Sequence, residues 1–203
     1  MRADEQDRDD IRAERAAFVE RLGPIDPHRL VFVDEAGVTT NMVRRHARAP
    51  RGRRACGTAP AGTWRRLTLL GALGVGGVAA AMTIERATDT AVFTAFLDRV
   101  LIPELRAAKP GAVVVMDHLS PHRAPAVRRR LEAAGFELLL LPRYAPDLNP
   151  IEAMGAKVKA ALRAAAARTV AALEAALADA LDRVTPADAR GFFRGCGYAL
   201  PAN

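Results

Sequence analysis

Two four-residue apolar runs, Leu30-Val31-Phe32-Val33 and Val113-Val114-Val115-Met116, each break off at an aspartate, Asp34 and Asp117. Uniformly apolar runs this short read as strands buried on both faces. Leu67 to Val75 and Val78 to Ile84 predict two more strands, joined across Gly76-Gly77, a pair suited to a two-residue hairpin turn. Phe136 to Leu141 predicts a fifth. Between the strands the period changes. Val92, Phe93, Phe96, Leu97, Val100 and Leu101 fall at helical spacing and predict a helix from Thr90 to Leu105. Further helices are expected from Ala124 to Ala134, Ile151 to Ala167 and Val170 to Val184, with a short one after Pro186. At the start, Ile11, Phe18 and Leu22 form a thin apolar stripe among charges. That predicts an exposed helix, packed by one edge and ended by Gly23-Pro24. Arg44 to Trp64 has no period and is punctuated by Gly and Pro, so a long loop or loose hairpin is expected. The order of elements predicts an α/β domain, a mixed sheet flanked by helices.

Half of the 203 residues are hydrophobic, enough for a real core. No uninterrupted apolar run reaches membrane-spanning length, and the first twenty residues are charged where a secretory signal is apolar, which predicts a cytoplasmic protein without a membrane partner. Cys56 and Cys196 have no partner at zinc-ligand spacing and suit a reducing compartment. The net charge of +7 is unevenly placed: residues 1–20 carry seven acids and four bases, leaving a strongly basic remainder. A basic body suggests a polyanionic partner. A genome rich in Arg and Ala codons gives the same charge without selection, since 27 of the 30 basic residues are Arg.

The carboxylates add the chemistry. If the two strands ending at Asp34 and Asp117 are parallel neighbours, both acids emerge at one edge of the sheet, where open α/β sheets place ligands. Acids so close repel unless a cation lies between them, and Mg²⁺ is held by one or two carboxylates with water and phosphate oxygens completing its shell. A polar residue simply ending each strand is the alternative. Glu152 is the third acid. Asn149-Pro150 starts a helix, with Asn at the cap and Pro at its first position, and a helix N-terminus favours a negative group. Asn149 and Glu152 also have the spacing of a capping box, which would give Glu152 a purely structural task. The helical wheel favours the site: Met154, Val158, Ala161 and Leu162 define a buried side, while Glu152, Lys159 and Arg163 share another face.

The segments Val33 to Gly37 (VDEAG), Asp117 to His122 (DHLSPH) and Leu141 to Glu152 (LPRYAPDLNPIE), with 34 residues between Asp117 and Glu152, resemble the DDE endonuclease domain of mariner-like transposases, in the bacterial insertion-sequence branch. The resemblance covers about residues 28–200. It implies an RNase H-like, retroviral integrase-like fold over 27–203, with 1–26 as a linker helix left from an interdomain connection. It further implies a transposase that cleaves and transfers DNA strands at the ends of an insertion sequence. Two Mg²⁺ ions, replaceable by Mn²⁺, would be held by Asp34, Asp117 and Glu152. A homodimer on DNA, insertion at TA, a separate helix-turn-helix part and a bacterial, nucleoid-associated location complete what it implies. An inactive fragment that binds DNA without catalysis is the rival reading.

Around the three acids, His122 is either an assisting group or an exposed loop residue. His118 follows Asp117 in the same way. Glu35 is expected on the opposite face of its strand from Asp34, and Asp147 is explained by turn chemistry. DNA contacts are expected from Arg44, Arg45, Arg48, Arg51, Arg53, Arg54, Arg65 and Arg66 in and beside the basic loop, and from Lys159 and Arg163, with Lys157 and Arg143 secondary. Family wording is broken at His118, Arg143 and Gly155, none of which is one of the three acids.

Overall fold

The computed structural model describes residues 4–200. Five strands form one sheet in the order β3-β2-β1-β4-β5. They are β1 (Leu30–Thr39), β2 (Arg66–Gly74), β3 (Gly77–Ile84), β4 (Val113–Met116) and β5 (Glu137–Leu140). β1, β4 and β5 run parallel, and β2 and β3 add an antiparallel hairpin to the far side of β1. The mixed sheet expected from the sequence is therefore present, and its centre is the parallel β1–β4 pair.

Alternation along β1 assigns its two faces. Leu30 and Phe32 enter one core with Val113, Val115, Leu69 and Leu139, and there meet Met154, Val158, Leu162, Leu173, Leu177 and Phe193 from α5 (Pro150–Ala165), α6 (Val170–Asp182) and α7 (Pro186–Gly195). Val31 and Val33 enter the other core with Val114, Met116, Phe93, Phe96, Leu97, Val127 and Leu131, where α2 (Thr90–Phe96), α3 (Ile102–Ala108) and α4 (Pro125–Ala133) cover the sheet. Such double coverage is why β1 and β4 are apolar without alternation. Phe32, Phe193 and Tyr198 meet edge-on or tilted, with centroids 5.3 to 5.5 Å apart, and lock α7 to the strand.

Three elements depart from expectation. β1 continues through Asp34 to Thr39, because after β4 stops at Met116 it still has β2 to pair with, Asp34 opposite Gly71. The expected helix over 90–105 runs on to Ala108 and contains a π-helical stretch at Leu97–Leu101, which side-chain periodicity alone does not reveal. The leader helix begins with a 3-10 turn, Asp4–Asp7, before α1 (Asp9–Leu22). Ile11 and Phe18 are buried as the thin stripe predicts. The basic stretch 44–64 has no regular element, as expected of a loop.

Candidate active site

Register brings the first two acids together. Val33 and Met116 are the last partners in the parallel β1–β4 ladder, so Asp34 and Asp117 are the next residue on each of two adjacent strands. Neighbouring strands lie about 4.8 Å apart. By alternation Asp34 shares the face of Leu30 and Phe32, the side on which α5 packs. Gly71 lies opposite Asp34 on β2, and a Cβ there would sit 3.3 Å from the Met154 methyl and 3.7 Å from Ile151 Cδ1. The bare backbone thus lets the first turn of α5, and Glu152 with it, come down close to the sheet.

Asn149 decides the task of Glu152. No side-chain cap hydrogen bond forms at the start of α5; Asn149 Nδ2 instead donates to Asp34 Oδ2 at 3.2 Å. The capping box is not formed, and Glu152 is exposed, free to face a ligand. Glu152 borders two adjoining cavities, one with Asp34, Glu35 and Lys159, the other with Asp117, His118 and Tyr144. Burial pushes the Asp34 carboxyl up to about 6; the Glu35 backbone N–H opposes this, and the charges of Asp117 and Glu152 add to it. Asp117 behaves oppositely. Burial works to raise it, but hydrogen bonds donated by His122 and by the Leu119 N–H outweigh burial and hold it below the usual carboxylate range.

His122 is not a solvated loop residue. Its ring is wholly buried against Phe93, with Nδ1 2.6 Å from Asp117 Oδ1. An ionised carboxylate only accepts, so Nδ1 carries the hydrogen and Nε2 faces Glu35 Oε1, 3.8 Å away. Glu35 does take the opposite face from Asp34, and that is what brings it to His122. The buried Glu35 Oε1, His122 Nε2 and Asn149 Oδ1 have no hydrogen-bond partner within the protein. His118 is exposed beside Asp117.

The donor set is oxygen-only and carries mutually repelling charges, which suits a hard divalent cation. Among the described residues, no three His, Cys, Asp or Glu side chains are gathered into a set that would hold an ion. Asp34 and Asp117 each border one of the two cavities, and Glu152 borders both.

The basic residues divide into free and engaged. Arg44, Arg45, Arg48, Arg51, Arg53 and Arg54 lie exposed on the loop, and so does Trp64. Arg45, Lys159 and Arg163 line one polar cavity with Thr39 and Asn41. Arg65 is paired with Glu85 at 2.5 Å, and Arg66 lies across Gly37, so neither is simply a free loop cation. Lys157 is held by Asp188 and the Arg183 carbonyl. Arg143 is held by Glu14 and Asp10. The two secondary DNA-contact candidates thus have partners inside the chain. Asp147 does more than close a turn: it accepts a forked pair of hydrogen bonds from Arg15, at 3.0 and 2.5 Å, and one from Gln6 at 3.3 Å. Sequence reading missed this tie because its partners lie more than 130 residues away.

Residues 29–174 match the family model described as DDE superfamily endonuclease. No curated protein matches the chain. Solved structures similar to it include the Mos1 transposase paired-end complex with left transposon end, with TM-score 0.73 and 20% identity, over 97% of this chain and 60% of that one. The Mos1 strand transfer complex matches with TM-score 0.72 and 20% identity, over 97% and 59%. The catalytic domain of Mos1 mariner transposase matches with TM-score 0.68 and 17% identity, over 97% and 90%. The chain spans about three fifths of the full transposase chains it resembles. The likeness establishes the expected RNase H-like fold. Among the described residues no helix is long and apolar enough to cross a membrane.

Proposed function

Because the chain belongs to the DDE superfamily endonucleases, we propose that it is the catalytic part of a DNA transposase, cutting and rejoining phosphodiester bonds through Asp34, Asp117 and Glu152. The observation that carries this reading is the register: two acids next to each other where the parallel β1–β4 ladder ends, with a third brought in by α5. Similar folds have been solved with Mg and Mn, and Mg²⁺ is the ion proposed here. Asp34, Asp117 and Glu152 would hold the ions between them. Bound there, the ions would lower the pKa of the attacking hydroxyl and offset charge on the leaving oxygen.

The chain's own residues orient these acids. His122 fixes one oxygen of Asp117, and Asn149 fixes one oxygen of Asp34, so neither carboxylate swings freely. Lys159 and Arg163 follow Glu152 along α5, about 10 and 16 Å further on at 1.5 Å per residue. A DNA strand passing the acids would find these cations, and then Arg45 across the cavity they share, along its phosphates. The exposed arginines of the 44–54 loop extend this track. Residues 1–26 are proposed as the link to a DNA-recognition part outside this chain, and a homodimer on DNA with a TA target goes with the transposase reading.

The test is metal-dependent cleavage of plasmid DNA by the wild type and by Asp117→Ala. Activity with Mg²⁺ or Mn²⁺ should fall to background in the variant; substantial residual cleavage would overturn the assignment. Joining of a pre-cut end to target DNA separates a transposase from a nuclease of the same fold.

A further inference from the structure

Beside the acids lies a cavity of about 380 Å³ with largely apolar walls, among them Leu119, Pro142, Tyr144 and Pro146, which Asp117 and Glu152 also line. Tyr144 and Leu119 are 46% and 43% exposed. Of the four exposed large hydrophobic residues among those described, two therefore border this one cavity. Tyr144 is also held at φ 56°, a backbone conformation that a bulky side chain rarely adopts.

Such a conformation persists only where the surroundings over-determine it. Here the leader segment does so from both sides. Gln6 Nε2 donates to the Tyr144 carbonyl at 2.5 Å, and Glu14 accepts from both the backbone N–H and the guanidinium of Arg143. Arg15 grips Asp147 three residues further on. A segment remote in sequence thus pins the backbone that presents an aromatic ring to the cavity.

We propose that this cavity is a subsite for an unpaired nucleobase of the strand whose phosphate reaches the acids, with the base stacked on Tyr144 and bounded by Leu119. The inference rests on the DNA-cleaving reading above. The occupant follows from continuity with the acid site: the group one sugar away from a phosphate at Asp117 and Glu152 is a base. A flat π-face against an exposed tyrosine is how proteins hold unstacked bases without reading their identity.

The test uses a DNA duplex with a short 3′ overhang containing 5-iodouracil, and a blunt duplex for comparison, in Ca²⁺. Irradiation should crosslink the overhang base to the tryptic peptide running from Tyr144 to Lys157. Tyr144→Ala should weaken binding of the overhang duplex by about five- to a hundredfold, the range that base–aromatic stacking carries, and leave the blunt duplex little changed. Tyr144→Phe keeps the ring and should bind like the wild type, which separates stacking from a folding defect. A crosslink confined to the peptide bearing Trp64, or equal binding of the overhang by Tyr144→Ala, would overturn the subsite while the DNA reading stands. Failure of the wild type to bind either duplex would overturn both.

Discussion

Replacing Asp34 by Asn should stabilise the metal-free protein at neutral pH while removing its proposed ion-holding group. Burial first, and then the neighbouring acids, push the Asp34 carboxyl from 3.8 to about 6. A carboxyl raised in this way binds its proton more tightly in the folded chain than in the unfolded one. Its favourable contribution is therefore present below about pH 4 and is lost as pH rises through about 6. Two units at 1.36 kcal/mol each set a ceiling of about 3 kcal/mol, and solvent at the open side of the site reduces the expectation to about 1–2 kcal/mol. Asn keeps the shape without the charge. The Asn149 amide, with Oδ1 unpartnered and Nδ2 on Asp34, can turn over to meet the new amide. Urea unfolding in EDTA, followed by far-UV circular dichroism, should show the variant about 1–2 kcal/mol more stable at pH about 7.5 and level with the wild type near pH 4. Other titrating groups are common to both proteins and cancel in the difference. No gain at neutral pH, or the same gain at both, would refute the claim that the buried charge of Asp34, beside two other acids, destabilises this edge of the sheet.

Truncating Phe193, wholly buried against Phe32 and Tyr198, should cost about 3–5 kcal/mol by the same unfolding assay, and a loss under 1 kcal/mol would mean that α7 is not locked as described. The pair Lys159→Ala and Arg163→Ala should reduce the slope of log affinity against log salt for DNA by about 2, measured between about 50 and 200 mM. An unchanged slope would remove these side chains from the phosphate track.

What was legible in the sequence is what is written locally. The apolar runs before Asp34 and Asp117 are strand and acid in contiguous residues, and the 3.6-residue period of α5 alone turns Met154, Val158 and Leu162 inward, where they are buried. What stayed hidden depends on partners far along the chain. Nothing near Asp147 indicates Arg15, and nothing near Arg143 indicates Glu14. His122 could be read as solvated because its burial depends on Phe93, which arrives from another helix. The capping-box spacing at Asn149 and Glu152 pointed to a bond that does not form, because the Asn149 side chain instead reaches a carboxylate 115 residues away.

The docking of α5 over Gly71 sets when the third proposed acid can join the other two. β1 and β4 leave the ribosome carrying two acids, but the helix bearing Glu152 is made later, and its apolar side is shared between the sheet and the still later α6 and α7. A polypeptide that stops before Pro150 therefore lacks one of the three acids. On the proposed reading, the third acid arrives only with the last quarter of the molecule, so the order of synthesis sets when the site is complete.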